Sequence, residues 1–182
     1  SRWGYGSRAD LERINELMDQ HGIPCDGLWL DIDYMDGYRL FTFNGNHFPQ
    51  PGRDIAKLQA GGRHVVPILD PGIKKETGYA VYELGIQEDV FCLNANGDPF
   101  VGLVWPGETV FPDFSVERGR GFWHRHVVEL ARLGFRGFWI DMNDPATGSV
   151  EATGMRFDAG RWPHETFHNQ YALAMALPTR DA

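Results

Sequence analysis

Three expected strand ends share one arrangement: a bulky apolar residue, one intervening residue, then aspartate. They are Trp29-x-Asp31, Ile68-x-Asp70 and Trp139-x-Asp141. The last is the most abrupt, because the apolar run in FRGFWIDMNDP, residues 135–145, breaks at Asp141 into polar residues. Side chains two apart on a strand share a face, so each arrangement sets a carboxylate above a hydrophobic residue at a strand's end. Carboxylates among aromatics, with no metal cluster, point to cleavage of a glycosidic bond, one carboxylate attacking and another donating a proton. The attack leaves a covalent glycosyl-enzyme ester, and an ionised nucleophile also stabilises an oxocarbenium-like transition state. Asp141 is the candidate nucleophile. A simpler reading stands beside it: an aspartate ending a strand is often only a helix cap or a turn hydrogen-bonder. Two readings of other classes also stand. Asp31-Ile32-Asp33 spells the DxD of a metal-dependent glycosyltransferase, and a non-catalytic carbohydrate-binding fragment would carry the same aromatics.

The elements that must hold these carboxylates alternate. Ser7-x-x-Asp10 resembles a capping box, and Leu11, Ile14, Leu17 and Met18 follow at helical spacing until His21-Gly22. Residues 27–35, GLWLDIDYM, read as a strand buried on both faces. Residues 37–52 read as a loop, 54–58 as a short helix closed by Gly61-Gly62, and 64–69 as a second strand. From 73 to 114 no helix of normal length is expected, and residues 94–98, NANGD, read as a hairpin turn joining 90–93 to 100–103. Ser115 is the expected cap of a helix running through Phe122, Trp123, Val127, Leu130 and Leu133 to Gly134. A third strand is expected over 135–140, and a last helix near 164–177. Alternating strands and helices imply parallel pairing through right-handed crossovers, as a doubly wound sheet or a (β/α) barrel. Both keep their chemistry at the strands' C-terminal ends. No glycine-rich phosphate loop follows any strand, so a nucleotide-binding fold lacks its usual mark.

Composition narrows the partners. With 182 residues, 42% apolar, and no long apolar tract, the expectation is one globular domain, 1–182, without a membrane span. A net charge of -8 excludes a nucleic-acid backbone as partner and suits a neutral ligand such as a sugar. Cys25 and Cys92 lie far apart and outside any Cys/His cluster, which predicts reduced buried thiols, no metal and no cofactor. SRWGYGSRAD lacks a basic-then-apolar leader, which leaves secretion unresolved and the location unknown, with the cytoplasm slightly favoured. Oligomeric state is left open.

Ordered motifs sharpen this. Residues 29–36 (WLDIDYMD), 104–107 (VWPG) with 111–114 (FPDF), and 139–143 (WIDMN) closely resemble glycoside hydrolase family 31. So do Arg2-Trp3-Gly4-Tyr5, Ile68-Leu69-Asp70-Pro71 and His168-Asn169-x-Tyr171, so the likeness covers essentially the whole chain. The resemblance implies a (β/α)8 TIM barrel and a retaining, exo-acting α-glycosidase, mainly α-glucosidase, acting on α-linked oligosaccharides or α-glucosides. It implies that Asp141 is the nucleophile and that Asp31 binds the outer hydroxyls of the sugar in the −1 subsite. Ile32 and Ile68 would shape that subsite's wall, and Trp105, Trp139 and Met142 would line it. Asp144 departs from the Glu usual after the family's DMN. The resemblance also implies that residues 1–182 are roughly the first half of the barrel, strands 1–4, with a long β-rich insertion after strand 3. The family's acid/base aspartate, and the arginine and histidine that contact the same sugar, would then lie beyond Ala182. An isolated piece of that kind is expected to turn over little and to associate through open strand edges. Blander roles remain for several residues: Asp33, Asp36 and Asp70 as loop-fixing carboxylates, Trp3, Tyr5 and Trp29 as core, and His168 as a structural histidine.

Overall fold

The computed structural model describes residues 3–182, so Arg2 of the Arg2-Trp3-Gly4-Tyr5 motif lies outside the described residues. In chain order the elements are α1 (Arg8–Gln20), β1 (Gly27–Leu30), α2 (Pro51–Ala60), β2 (His64–Leu69), β3 (Ile73–Lys74), α3 (Ala80–Gln87), β4 (Gly102–Val104), β5 (Gly107–Val110), α4 (Glu117–Ala131), β6 (Trp139–Ile140), α5 (His164–Phe167) and α6 (Tyr171–Arg180). They divide into two compact units, Ser1–Leu69 with Glu129–Trp139, and Asp70–Val128 with Ile140–Ala182.

In the first unit, α1 begins and ends as its sequence dictates. The Ser7 hydroxyl accepts from the Asp10 amide at 3.3 Å and donates to the Asp10 carboxylate at 2.8 Å, satisfying a helix N–H that has no partner within the helix. At the far end Gly22, at φ +61°, lets the Ile23 amide reach back to the Met18 carbonyl at 2.9 Å, a Schellman closure. β1 and β2 run parallel, with Leu28 opposite Val65 and Leu30 opposite Pro67. The strand order is β1-β2-β6. Leu28 and Leu30 are buried, whereas Trp29 between them is 44% exposed, so β1 is buried on one face and not on both. α2 starts three residues before its expected start, because Pro51 at the first position has no N–H to leave unsatisfied. Its Ile55 and Leu58 are buried, and Gln59 donates to the Gly134 carbonyl.

The expected strand over 135–140 shortens to Trp139–Ile140. Gly134 and Gly137 weaken the start of the ladder, and the Phe135 ring stacks on Phe43 with centroids 6.2 Å apart.

The second unit holds the antiparallel sheet β3-β5-β4. β4 and β5 are joined by Trp105-Pro106, with Val104 opposite Gly107 and Gly107 at φ +96°. The expected turn at 94–98 is present: Asn94 donates its amide to the Asp98 carbonyl at 2.8 Å, and its side chain accepts from the Asn96 and Asp98 amides. Its arms, however, form isolated pairs and not strands, in keeping with Pro99, which has no amide to donate. The stretch expected to lack a helix of normal length contains the eight-residue α3. Gly85 obscured it, since glycine weakens a helix interior. It is tolerated here because a Cβ at 85 would meet the Phe91 ring at 2.3 Å.

The core of this unit is aromatic. Phe114 meets Trp123 and Tyr171 edge-on, at 5.4 and 5.0 Å. The Trp123 indole donates to the Thr179 hydroxyl at 2.8 Å, and the fully buried Tyr171 hydroxyl donates to the Pro112 carbonyl at 2.9 Å. The expected helix over 164–177 is interrupted by a 3₁₀ turn at His168–Gln170. There Phe167, at φ −129°, leaves helical geometry to bury its ring 5.2 Å from Phe157. Cys92 is buried, while Cys25 is only half-buried.

Ser115 does not cap α4 as expected. Its hydroxyl donates to Asp113 and accepts from the Asp158 amide at 2.9 Å. Asp113, 1% exposed, also accepts from the Ser115 amide at 3.1 Å and the Ala159 amide at 3.2 Å. Asp158 and Ala159 both sit at φ +54°, an uncommon conformation for residues other than glycine. The buried carboxylate thus staples a strained turn. Burial pushes its pKa above the ordinary 3.8, against the pull of its hydrogen bonds. A carboxyl raised in the folded state contributes stability that is complete below the ordinary value and is lost as pH rises through the raised one. The difference in unfolding free energy between the wild type and Asp113→Asn is therefore expected to shrink over that interval in urea unfolding at stepped pH. A difference that stays flat would contradict the shift.

Candidate active site

Asp31 immediately follows β1 in extended conformation, φ −84° and ψ −179°. One carboxylate oxygen accepts from the Ile32 amide at 2.8 Å, and the other from the Trp3 amide at 3.2 Å. The strand expected to reach Met35 accordingly stops at Leu30 and passes into a 3₁₀ turn at Ile32–Tyr34, which Asp31 caps. Tyr34, fully buried, donates its hydroxyl to the Ile68 carbonyl at 3.0 Å and ties that turn to β2. Ile32 and Ile68 are themselves buried, so either offers a ligand no more than a sliver of surface. Trp139 is half-buried at the start of β6. Trp3 and Trp29, for which a core role was possible, are instead exposed, by 59% and 44%. Asp36 fixes its loop: its amide donates to the Thr42 hydroxyl at 3.1 Å and its carboxylate pairs with Arg39 at 3.2 Å.

In the second unit Asp141 ends β6 in a related way. Its Oδ1 accepts from the Met142 amide at 2.8 Å, and its other oxygen has no hydrogen bond with any described residue. Met142 adopts φ +55°, and its carbonyl accepts from the Ala146 amide at 2.9 Å, which curls 142–146 into a tight turn. That turn is fastened to the Trp105 hairpin. The Leu103 amide donates to the Thr147 carbonyl at 3.0 Å, and a Cβ on Gly148 would lie 1.8 Å from the Leu103 carbonyl oxygen. Trp105, at the hairpin's tip, is 51% exposed. Asp144, within the turn, is exposed. His168 holds Asn169 at 2.9 Å and lies against the His164 ring, as a structural histidine would.

The candidate residues thus fall in two groups. Asp31, Ile32, Ile68 and Trp139 belong to the first unit, and Trp105, Asp141 and Met142 to the second. Sequence reasoning missed the Trp3 amide as a partner of Asp31. The only signal was the Arg2-Trp3-Gly4-Tyr5 motif, which says nothing about a contact 28 residues away. Among the described residues no group of three or more His, Cys, Asp or Glu is arranged to hold a metal ion.

An amide-anchored carboxylate with one free oxygen, at the end of a strand on a strand-and-helix scaffold, is an arrangement that enzymes acting on sugars can use. The family model described as "Glycosyl hydrolases family 31 TIM-barrel domain" matches residues 1–182, and the chain belongs to glycoside hydrolase family 31. Its fold is therefore that family's α/β barrel. Alpha-glucosidase 2 of Bacillus thermoamyloliquefaciens is 37% identical over 98% of this chain and 23% of its own length. Lysosomal alpha-glucosidase of Bos taurus is 40% identical over 82% of this chain and 17% of its own. The crystal structure of glucosidase II alpha subunit, DNJ-bound, superposes with a TM-score of 0.88 at 27% identity, covering 97% of this chain and 20% of that one. The chain spans about a fifth of the length of these relatives. A match to glycosyl hydrolases lends no support to the glycosyltransferase reading of Asp31-Ile32-Asp33, nor to a non-catalytic binding fragment.

Burial, and then the charge of Asp31, hold the Asp33 carboxyl above the usual carboxylate range. Asp31→Asn removes that charge and leaves the burial. The Asp33 midpoint is expected to fall in a carboxyl-carbon NMR titration, and a midpoint that stays or rises would deny the coupling.

Proposed function

We propose that this chain is part of a retaining, exo-acting α-glycosidase, most simply an α-glucosidase, with Asp141 as its nucleophile. The observation that carries the reading is the state of that carboxylate: one oxygen is held by the Met142 amide, the other is open, and the surrounding WIDMN is the family's motif. In this reading the free oxygen attacks the anomeric carbon as the bond to the leaving group breaks. The leaving oxygen takes a proton from an acid outside these 182 residues, and water then cleaves the ester. Asp31 accepts the outer hydroxyls of the −1 sugar, which disfavours further units there and selects for exo attack. Trp105, Trp139 and Met142 line the sugar, and Ile32 and Ile68 back it. Residues 1–182 form roughly the first half of a catalytic (β/α)8 barrel, its strands 1–4, with residues 73–114 as the insertion after strand 3. The remainder of that barrel is then the chain's principal partner. The names of the relatives support an α-glucoside as substrate.

The test uses the polypeptide as its gene encodes it. A fluorinated glycosyl inactivator is expected to label Asp141 in peptide mass spectrometry, and label on any other carboxylate would remove Asp141 from the role. Asp141→Asn, which keeps an acceptor for the Met142 amide but cannot attack, is expected to lower kcat on nitrophenyl α-glucoside by about 10³-fold or more, without a matching change in KM.

A further inference from the structure

A pocket of about 270 Å³ lies wholly within the second unit. Ile86, Phe91, Leu93 and Pro99 give it apolar walls, and Asp89 and Arg118 are its two charged residues. Phe91 is wedged between Tyr82 and Phe122, with centroids 6.1 and 6.2 Å away, and Gly85 behind it leaves room for the ring and nothing more. That wall is rigid. The charged residues differ from it: neither the Asp89 carboxylate nor the Arg118 guanidinium has a hydrogen bond or ion pair with any described residue. The nearby arginine on α4, Arg125, is taken by Glu88 at 2.5 Å, the residue beside Asp89. Asp89 sits at φ +52° because it closes α3, letting the Val90 amide reach back to the Gly85 carbonyl at 3.1 Å, and that closure fixes where its side chain starts.

We propose that this pocket is an accessory carbohydrate site, taking a single neutral sugar ring of an α-linked glucan. The ligand class rests on the α-glycosidase reading above. The chemistry selects it in three ways. Apolar walls with a few convergent polar groups are the usual make-up of a small-ligand site, and this volume falls below the range that takes drug-sized molecules. A carboxylate can accept from two sugar hydroxyls while a guanidinium donates to others from its planar fork. Finally, an anion would be repelled by Asp89 and by the chain's net charge of -8, and a cation by Arg118, which leaves a neutral polyol. The sugar's C–H face rests on Leu93 and Pro99, with the buried Phe91 ring behind them, and its hydroxyls bridge Asp89 and Arg118.

The test is calorimetric titration of maltotriose into the full encoded polypeptide carrying Asp141→Asn, so that binding is read without turnover. Two classes of site are expected. One of them weakens at least tenfold on adding Asp89→Ala or Arg118→Ala. It weakens likewise on adding Ile86→Trp, which fills the pocket mouth without touching either charge. The same three substitutions with Asp141 intact are expected to leave hydrolysis of nitrophenyl α-glucoside unchanged. A single class of site, or a second class indifferent to all three substitutions, overturns the proposal. If the wild type hydrolyses no α-glucoside while pocket-dependent binding persists, the glycosidase reading fails and the pocket stands. If hydrolysis is present without pocket-dependent binding, only the pocket fails.

Discussion

A carboxylate at the end of a strand must first be held still and then have its second oxygen either bonded or left open, and both steps shape the strand ends at Asp31 and Asp141. Asp31 and Asp141 solve the first half identically, each accepting from the amide of the next residue at 2.8 Å. A backbone donor one residue away costs almost no extra ordering, because the chain has already been fixed by the strand before it. The two differ in the second oxygen. That of Asp31 accepts from the Trp3 amide, whereas that of Asp141 has no partner among the described residues. The protein therefore occupies both oxygens of the first carboxylate and only one of the second.

The backbone beyond each carboxylate takes a different course as well. After Asp31 the chain enters a 3₁₀ turn roofed by the buried Tyr34, whose hydroxyl reaches β2. After Asp141 it enters a turn through Met142 at φ +55°, anchored to the Trp105 hairpin by the Leu103 amide. The second unit repeats this use of polar anchors at greater depth. Asp113 and Ser115 hold the turn at 158–159 from inside the core, and the Tyr171 hydroxyl satisfies the Pro112 carbonyl beside it. Burying such groups is tolerable only because the donors and acceptors are matched.

Much of this was legible in the residues. β2 falls at 64–69, where its apolar run between turn residues put it, α1 has the cap and the stop that Ser7 and Gly22 announce, and the aspartates do end strands. The misses share a cause. Propensity reads neighbours along the chain, and the deciding contacts came from elsewhere. Gly85 hid α3, yet it is there to clear Phe91. Phe135 counted as strand, yet it turns to Phe43. Trp29 reads as core by its chemistry, and only the one-sided burial of β1 exposes it. For the site, residue types and motifs pointed to the carboxylates, but nothing local announced the Trp3 amide at Asp31. In the bare sequence, the capping and functional readings of an aspartate at a strand's end compete. At Asp31 the capping contact is present, and it is also what would hold the carboxylate in position.

The Trp105-Pro106 turn sets a limit on how this surface can diversify. It joins β4 to β5 with two residues, and β4 is fastened in turn to the loop after Asp141, with Gly148 packed too closely on Leu103 to admit even a methyl group. One residue inserted into a strand so pinned would move every side chain beyond it to the opposite face. Packing therefore constrains length at this edge more tightly than it constrains the exposed Leu103 and Trp105 side chains. Related sequences should differ here by what replaces the exposed tryptophan and leucine, with the spacing between Leu103 and Gly107 held constant.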